Sequence, residues 1–236
     1  MVDEPAGPEP IFPAARTRGQ ARERYGLLLG AVIAVFIVEG TVTPTAFEQV
    51  VVAVLLGATL LLALALAEVR NSVATVAIAI VSGVVLLSVV EAVNGNANEL
   101  ATRIAFALLV ALAPPAIIVG VVRNLRSRQA VTVETVAGVL CVYILLGLFF
   151  AFLYGALNRI EGPFFEAGQT GTIAHCIYFS FTTLTTVGFG DFTARTDLGH
   201  TLSAAEALLG QIYLVTVVSL IVANLGRSRT QSHPTG

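Results

Sequence analysis

Tryptophan and lysine are absent from this 236-residue chain, methionine occurs once and cysteine twice, and charged residues make up only 12% of it. Each scarcity closes a class. So few charges, against 56% apolar residues, exclude an ordinary water-soluble domain, in which about a quarter of the residues are charged. A formal net charge of −2 removes the electrostatic attraction that a nucleic-acid partner requires. Cys141 and Cys176 both lie in apolar helical context, so neither a disulfide framework nor a metal site is expected and packing accounts for each. Every cationic side chain of fixed charge is an arginine, a compositional bias that carries no mechanism.

What the chain has instead is long, charge-poor apolar runs. Crossing a bilayer takes about 20 such residues per helix, and six runs qualify: Tyr25 to Thr43, Glu48 to Glu68, Ser72 to Val90, Arg103 to Arg123, Thr132 to Leu157 and Leu198 to Gly226. The first has an apolar core ending at Val38, short enough for a signal peptide, but Thr43-Pro-Thr-Ala46 is a poor cleavage site and the run is read as a span. Cytoplasmic loops retain arginine. With the amino terminus inside, ten arginines face inward and only Arg103, Arg159 and Arg195 face outward. Both termini are therefore expected in the cytoplasm, in a multi-pass protein of the cell membrane. The amino-terminal tail, rich in Pro, Ala and acidic residues, is predicted to be disordered over residues 1–24, with a second short tail at 228–236.

The connection between the fifth and sixth runs is too apolar for a plain external loop. Asn158 to Gly171, with Gly162-Pro163, suits an exposed turret, and Thr172 to Leu184 reads as an apolar helix too short to cross. After it comes TTLTTVGFGDF, Thr182 to Phe192, in which Gly188 and Gly190 permit backbone angles that other residues resist. Non-helical backbone at membrane depth is tolerated only where it is buried in protein or lines a watery path. If Thr185 to Gly190 runs extended with its carbonyls turned inward, a ring of such segments can replace the water shell of a cation.

Thr185-Thr-Val-Gly-Phe-Gly-Asp191 resembles the signature filter of the potassium channel superfamily, with Phe189 where tyrosine is common. The resemblance covers Val131 to Gly226, in the order outer helix, turret, aromatic pore helix, filter and inner helix, and Leu209-Gly-Gln-Ile-Tyr-Leu214 resembles the hinge segment of short prokaryotic six-helix members. It implies an all-α polytopic fold, six transmembrane helices plus a re-entrant pore helix, assembled as a homotetramer because one chain supplies one filter loop. By the family pattern K+ is the permeant ion and no cofactor is needed. The carbonyls of Thr186, Val187, Gly188 and Phe189 would coordinate the ion, with Gly190 completing the filter and Asp191 at the outer mouth. Gly210 falls at the inner-helix hinge, and Leu214, Val215, Val218, Ser219 and Val222 recur at helical spacing below it as candidates to line the cavity and gate. The implied domains are a four-helix membrane domain over 25–124 and a pore domain over 125–227.

The first four spans match in number the sensor unit of voltage-gated relatives, but the fourth carries no cationic residue between Arg103 and Arg123. Working sensors move three or four charges each, so conduction is expected to be weakly or not voltage-dependent. Pro114 and Pro115 are expected to break the fourth helix. Tyr178 and Phe179 stand where many relatives carry tryptophans, and Thr182 where some carry an acid that braces the filter from behind. His175 and His200 are read as solvated interfacial residues. Glu206 differs, since an acid inside a span usually has a partner or a purpose; bracing the pore helix and sensing protons are both open. Arg123, Arg126 and Arg128 form an inner-leaflet anchor suited to anionic lipid. A weakly selective cation pore and a non-conducting scaffold are the alternatives; the spans hold no nucleophile–base pair or metal cluster of an intramembrane enzyme.

Overall fold

The computed structural model describes residues 18–41, 45–67, 69–95, 100–128, 133–166 and 171–230, with the side chains of 18–22, 123–128, 133–134, 218 and 220–230 outside the description. These residues form seven α-helices: α1 (Arg18–Thr41), α2 (Ala46–Ala67), α3 (Asn71–Val93), α4 (Leu100–Arg128), α5 (Val133–Ile160), α6 (Ile173–Leu184) and α7 (Asp197–Thr230). The fold is all-helical, and among the described residues α1 to α5 are long and apolar enough to cross a membrane. At about 1.5 Å per residue, the 34 residues of α7 also exceed the bilayer thickness, although the side chains of 218 and 220–230 lie outside the description.

Helix boundaries follow local chemistry. Thr45 and Glu48 form a reciprocal cap at the start of α2, the Glu48 amide donating to Thr45 Oγ1 (3.1 Å) and the Thr45 amide to Glu48 Oε2 (3.3 Å). Two expectations need correction. Residues 18–24 belong to α1 and not to a disordered tail; Gln20-Ala-Arg-Glu-Arg24 are strong helix formers. Pro114 and Pro115 do not break α4, which runs through both. Each proline removes one amide donor, but both lie in the interior of a 29-residue helix, and membrane helices tolerate such gaps where neighbours pack against them.

Helix association within a bilayer rests on close packing of small residues and on interhelical hydrogen bonds, and both are present. A methyl group on Gly57 of α2 would lie 2.5 Å from Val81 of α3, and one on Gly138 of α5 would lie 2.6 Å from Val121 of α4. At one end of the four-helix unit, the Gln49 amide donates to Glu91 Oε2 (2.6 Å) and to Thr102 Oγ1 (3.1 Å), and Thr102 also bonds Glu91, joining α2, α3 and α4. Helix α3 is peripheral, burying only Ala74, Ala77, Val81, Ser88 and Glu91. Helices α1 and α4 pack directly on α5 of the same chain, and α1 also reaches α6, with Phe36 edge-on to Phe181 at 4.8 Å. The four-helix unit thus buttresses the segment that follows it.

Candidate functional site

Helix α6 is set by its ends. Thr172 caps its start by accepting from the His175 amide (3.3 Å), and it stops at Leu184, with no β-branched residue in its interior except Ile177 and the two threonines of its last turn. Residues Asn158 to Gly171 before it were expected to form an exposed turret, and this is corrected in part: Phe164 and Phe165 are buried. They turn inward because aromatic rings await them, Phe164 stacking on Tyr154 at 4.8 Å and Phe165 meeting Phe179 edge-on at 5.4 Å. Asn158 staples the two ends of the turret, accepting from the Phe164 amide (2.9 Å) and donating to the Gly171 carbonyl (3.3 Å). A single bridge pairs Phe165 with Ala194 beyond the glycine motif. The segment after the glycine motif is thereby fixed to the α5–α6 connection.

The motif itself departs from uniformly extended backbone. Thr186, Gly188 and Gly190 have φ of +59°, +50° and +78°, and Thr186 is the one non-glycine residue with positive φ among those described. A left-handed threonine costs about 1–2 kcal/mol, and such strain concentrates at functional sites. Around Gly188 and Gly190 there is no atom within 4 Å of an added methyl. These glycines are therefore required by angle and not by space.

Carbonyl direction follows from the amides. Those of Val187 and Gly188 both donate to the Thr182 carbonyl (2.9 and 3.0 Å), and that of Thr186 to the Thr183 carbonyl (2.9 Å). No described peptide is cis, and in a planar trans peptide the carbonyl points opposite to the following N–H. The carbonyls of Thr185, Thr186 and Val187 thus face away from α6. Helix α6 presents its carboxyl end, the negative pole of its dipole, to the same segment. Residues 185–191 are exposed, with Val187 at 54% and Phe189 at 70%.

The other expected residues are placed as follows. Asp191 accepts from the Tyr178 hydroxyl (2.8 Å), which raises the Tyr178 phenol above its ordinary range, and Phe189 stacks on the Tyr178 ring at 6.2 Å. Gly210 lies in unbroken helix, buried, where an added methyl would collide with the Leu184 carbonyl oxygen; it lets α7 pass the end of α6. Leu214, Val215 and Ser219 are exposed on α7, whereas the side chains of Val218 and Val222 lie outside the described residues. His175 stacks on Phe192 at 4.7 Å. Tyr213 donates to the Val139 carbonyl (2.6 Å) and stacks on Tyr143 at 5.7 Å, holding α7 to α5. Among the described residues no group of three or more His, Cys, Asp or Glu is placed to hold a metal ion.

Two long helices flanking a short one, followed by a strained glycine segment with outward carbonyls, occupy the carboxyl-terminal part of the chain. Residues 138–227 match the family model described as an ion channel. No curated protein matches the chain. The matched stretch begins inside α5 and ends inside α7, so it contains the whole of α6 and the glycine motif. Helices α1 to α4 precede it.

Proposed function

We propose that four copies of this chain surround one potassium-selective pore in the cell membrane, passing K+ down its electrochemical gradient without chemistry. The observation that carries this reading is the pinning of the Val187 and Gly188 amides on Thr182, which turns successive carbonyls off the protomer into open space. Polar backbone at membrane depth needs protein or water around it, and residues 185–191 are left exposed by the rest of their own chain. Fourfold symmetry meets both needs, with carbonyls of Thr186, Val187, Gly188 and Phe189 as ligands in place of ion hydration. Asp191 stands at the outer mouth, and α7 completes the six spans and lines the inner cavity through Leu214, Val215, Val218, Ser219 and Val222.

Arginine asymmetry supports cytoplasmic termini, and the arginines at the end of α4 suit anionic headgroups at the inner leaflet. Sparse cationic charge in α4 supports weak voltage dependence. The test is flux from liposomes loaded with K+ and reconstituted with purified protein, beside the mass of the detergent-solubilised assembly. Efflux that Gly188→Ala abolishes, from an assembly of four chains, supports the reading. Efflux of Na+ at the same rate, or a monomeric active species, contradicts it.

A further inference from the structure

Glu206 is completely buried on α7, one helical turn before Gly210. Its carboxyl group touches both other helices of the ion-channel domain. The Tyr154 hydroxyl of α5 donates to Oε2 at 2.7 Å, and the Ser180 hydroxyl of α6 is hydrogen-bonded with Oε1. Ser180 Oγ also lies 2.7 Å from the Gly147 carbonyl of α5. Tyr154 and Ser180 are themselves fully buried.

A hydroxyl has one proton to give, and a carbonyl can only accept. If the Ser180 proton goes to Gly147, the contact with Glu206 needs a proton from the carboxyl group. A neutral acid supplies it, accepts from Tyr154 with its other oxygen, and avoids a buried uncompensated charge. Glu206 would then donate to Ser180, Ser180 to Gly147 and Tyr154 to Glu206, leaving each polar atom partnered.

Ser180 lies two residues before Thr182, whose carbonyl holds the Val187 and Gly188 amides. The inner helix is thereby linked to the carbonyl ring through a short, rigid path. Space for this link comes from Gly147, since a methyl there would lie 2.6 Å from the Phe181 ring. At Thr182, the position facing the filter from α6 itself, the hydroxyl instead bonds the Phe179 carbonyl (3.0 Å).

We propose that Glu206 is the positioning residue of the filter, a proton-donating carboxyl group on the inner helix that clamps the pore helix through Ser180 and the outer helix through Tyr154. This rests on reading residues 185–191 as an ion filter. Glutamine offers an NH2 group to donate to Ser180 and a carbonyl oxygen to accept from Tyr154, whereas leucine fills the volume and has neither.

The experiment compares purified wild type, Glu206→Gln and Glu206→Leu in planar bilayers, reading the K+ to Na+ permeability ratio, with the infrared difference spectrum of wild type and Glu206→Gln alongside. Expected are an unchanged ratio for Glu206→Gln, a ratio about tenfold lower or loss of current for Glu206→Leu tetramers, the net size of losing the hydrogen bonds to Ser180 and Tyr154, and a difference spectrum with a carboxylic-acid band. Should Glu206→Leu fail to assemble, Ser180→Ala, which deletes the acceptor, is read in its place with the same loss expected. A wild-type ratio in Glu206→Leu or Ser180→Ala, a lost ratio in Glu206→Gln, or carboxylate bands in the difference spectrum would overturn the proposal. A wild type that passes K+ and Na+ alike instead refutes the filter reading, and this role falls with it.

Discussion

Replacing Gly210 with Ala distinguishes a packing role for this residue from a purely flexible one. An added methyl would overlap the Leu184 carbonyl oxygen and lie 2.9 Å from Leu184 Cδ1, so α7 must retreat from the end of α6. Overpacking of this kind costs about 1–3 kcal/mol. The Leu184 carbonyl also accepts from the Tyr143 hydroxyl at 3.3 Å, and displacing it forfeits about 1 kcal/mol more. Gly83→Ala in α3 is the control, because no atom lies within 4 Å of its added methyl and alanine in a helix gains about 0.5–1 kcal/mol over glycine. Unfolding of the two variants in detergent, with the tetramer fraction followed by gel filtration, should place Gly210→Ala below wild type and Gly83→Ala at or above it. A hinge that serves flexibility alone predicts altered gating with full stability. Gly210→Ala as stable as Gly83→Ala would refute the packing argument.

Gly188→Ala should abolish selective conduction while tetramers persist, because the left-handed angle at Gly188 (φ +50°) resists a side chain by about 1–2 kcal/mol per subunit; an unchanged reversal potential would speak against the filter assignment. Arg103→Gln should leave the slope of open probability against voltage unaltered. A single charge crossing 100 mV is worth at most about 2.3 kcal/mol, and Arg103 is buried, with Nη1 2.8 Å from where a methyl on Gly155 would sit; a steep wild-type slope that flattens in this variant would restore α1 to α4 as a sensor. Tyr178→Phe keeps the stack on Phe189 and deletes the 2.8 Å bond to Asp191, a loss of about 1 kcal/mol. Potassium current through this variant should decay faster during sustained opening, and an unchanged decay would remove Asp191 from filter support.

The long helices were legible because a bilayer asks one thing of each: a charge-free run, ended by Arg, Glu, Asn or Gly. Helix α6 was legible for the complementary reason, being apolar, aromatic and too short to cross, and it begins at Ile173, one residue after the expected Thr172. Legibility failed where partners come from distant elements. Phe164 and Phe165 looked like exposed turret because nothing nearby in sequence shows Tyr154 or Phe179 waiting for them. Prolines in α4 looked like a break because local rules take no account of the neighbours packed along that helix. Positive φ at Gly188 and Gly190 followed from their residue type, whereas the same geometry at Thr186 is imposed by the Thr183 and Thr182 carbonyls. Glu206 announced itself as an acid in an apolar span, but its partners sit 52 and 26 residues away, and only hydroxyls in otherwise apolar helices hinted at them.

The most direct test of the central claim is the reversal potential of purified protein in a planar bilayer with equal KCl on one side and NaCl on the other. Each tenfold in permeability ratio moves it by about 59 mV, the thermal factor for one elementary charge. A pore formed by carbonyls of Thr186, Val187, Gly188 and Phe189 predicts a shift toward the potassium equilibrium potential of at least about 59 mV, lost in Gly188→Ala. A reversal potential near zero in the wild type would contradict a potassium-selective filter and leave a weakly selective pore in its place.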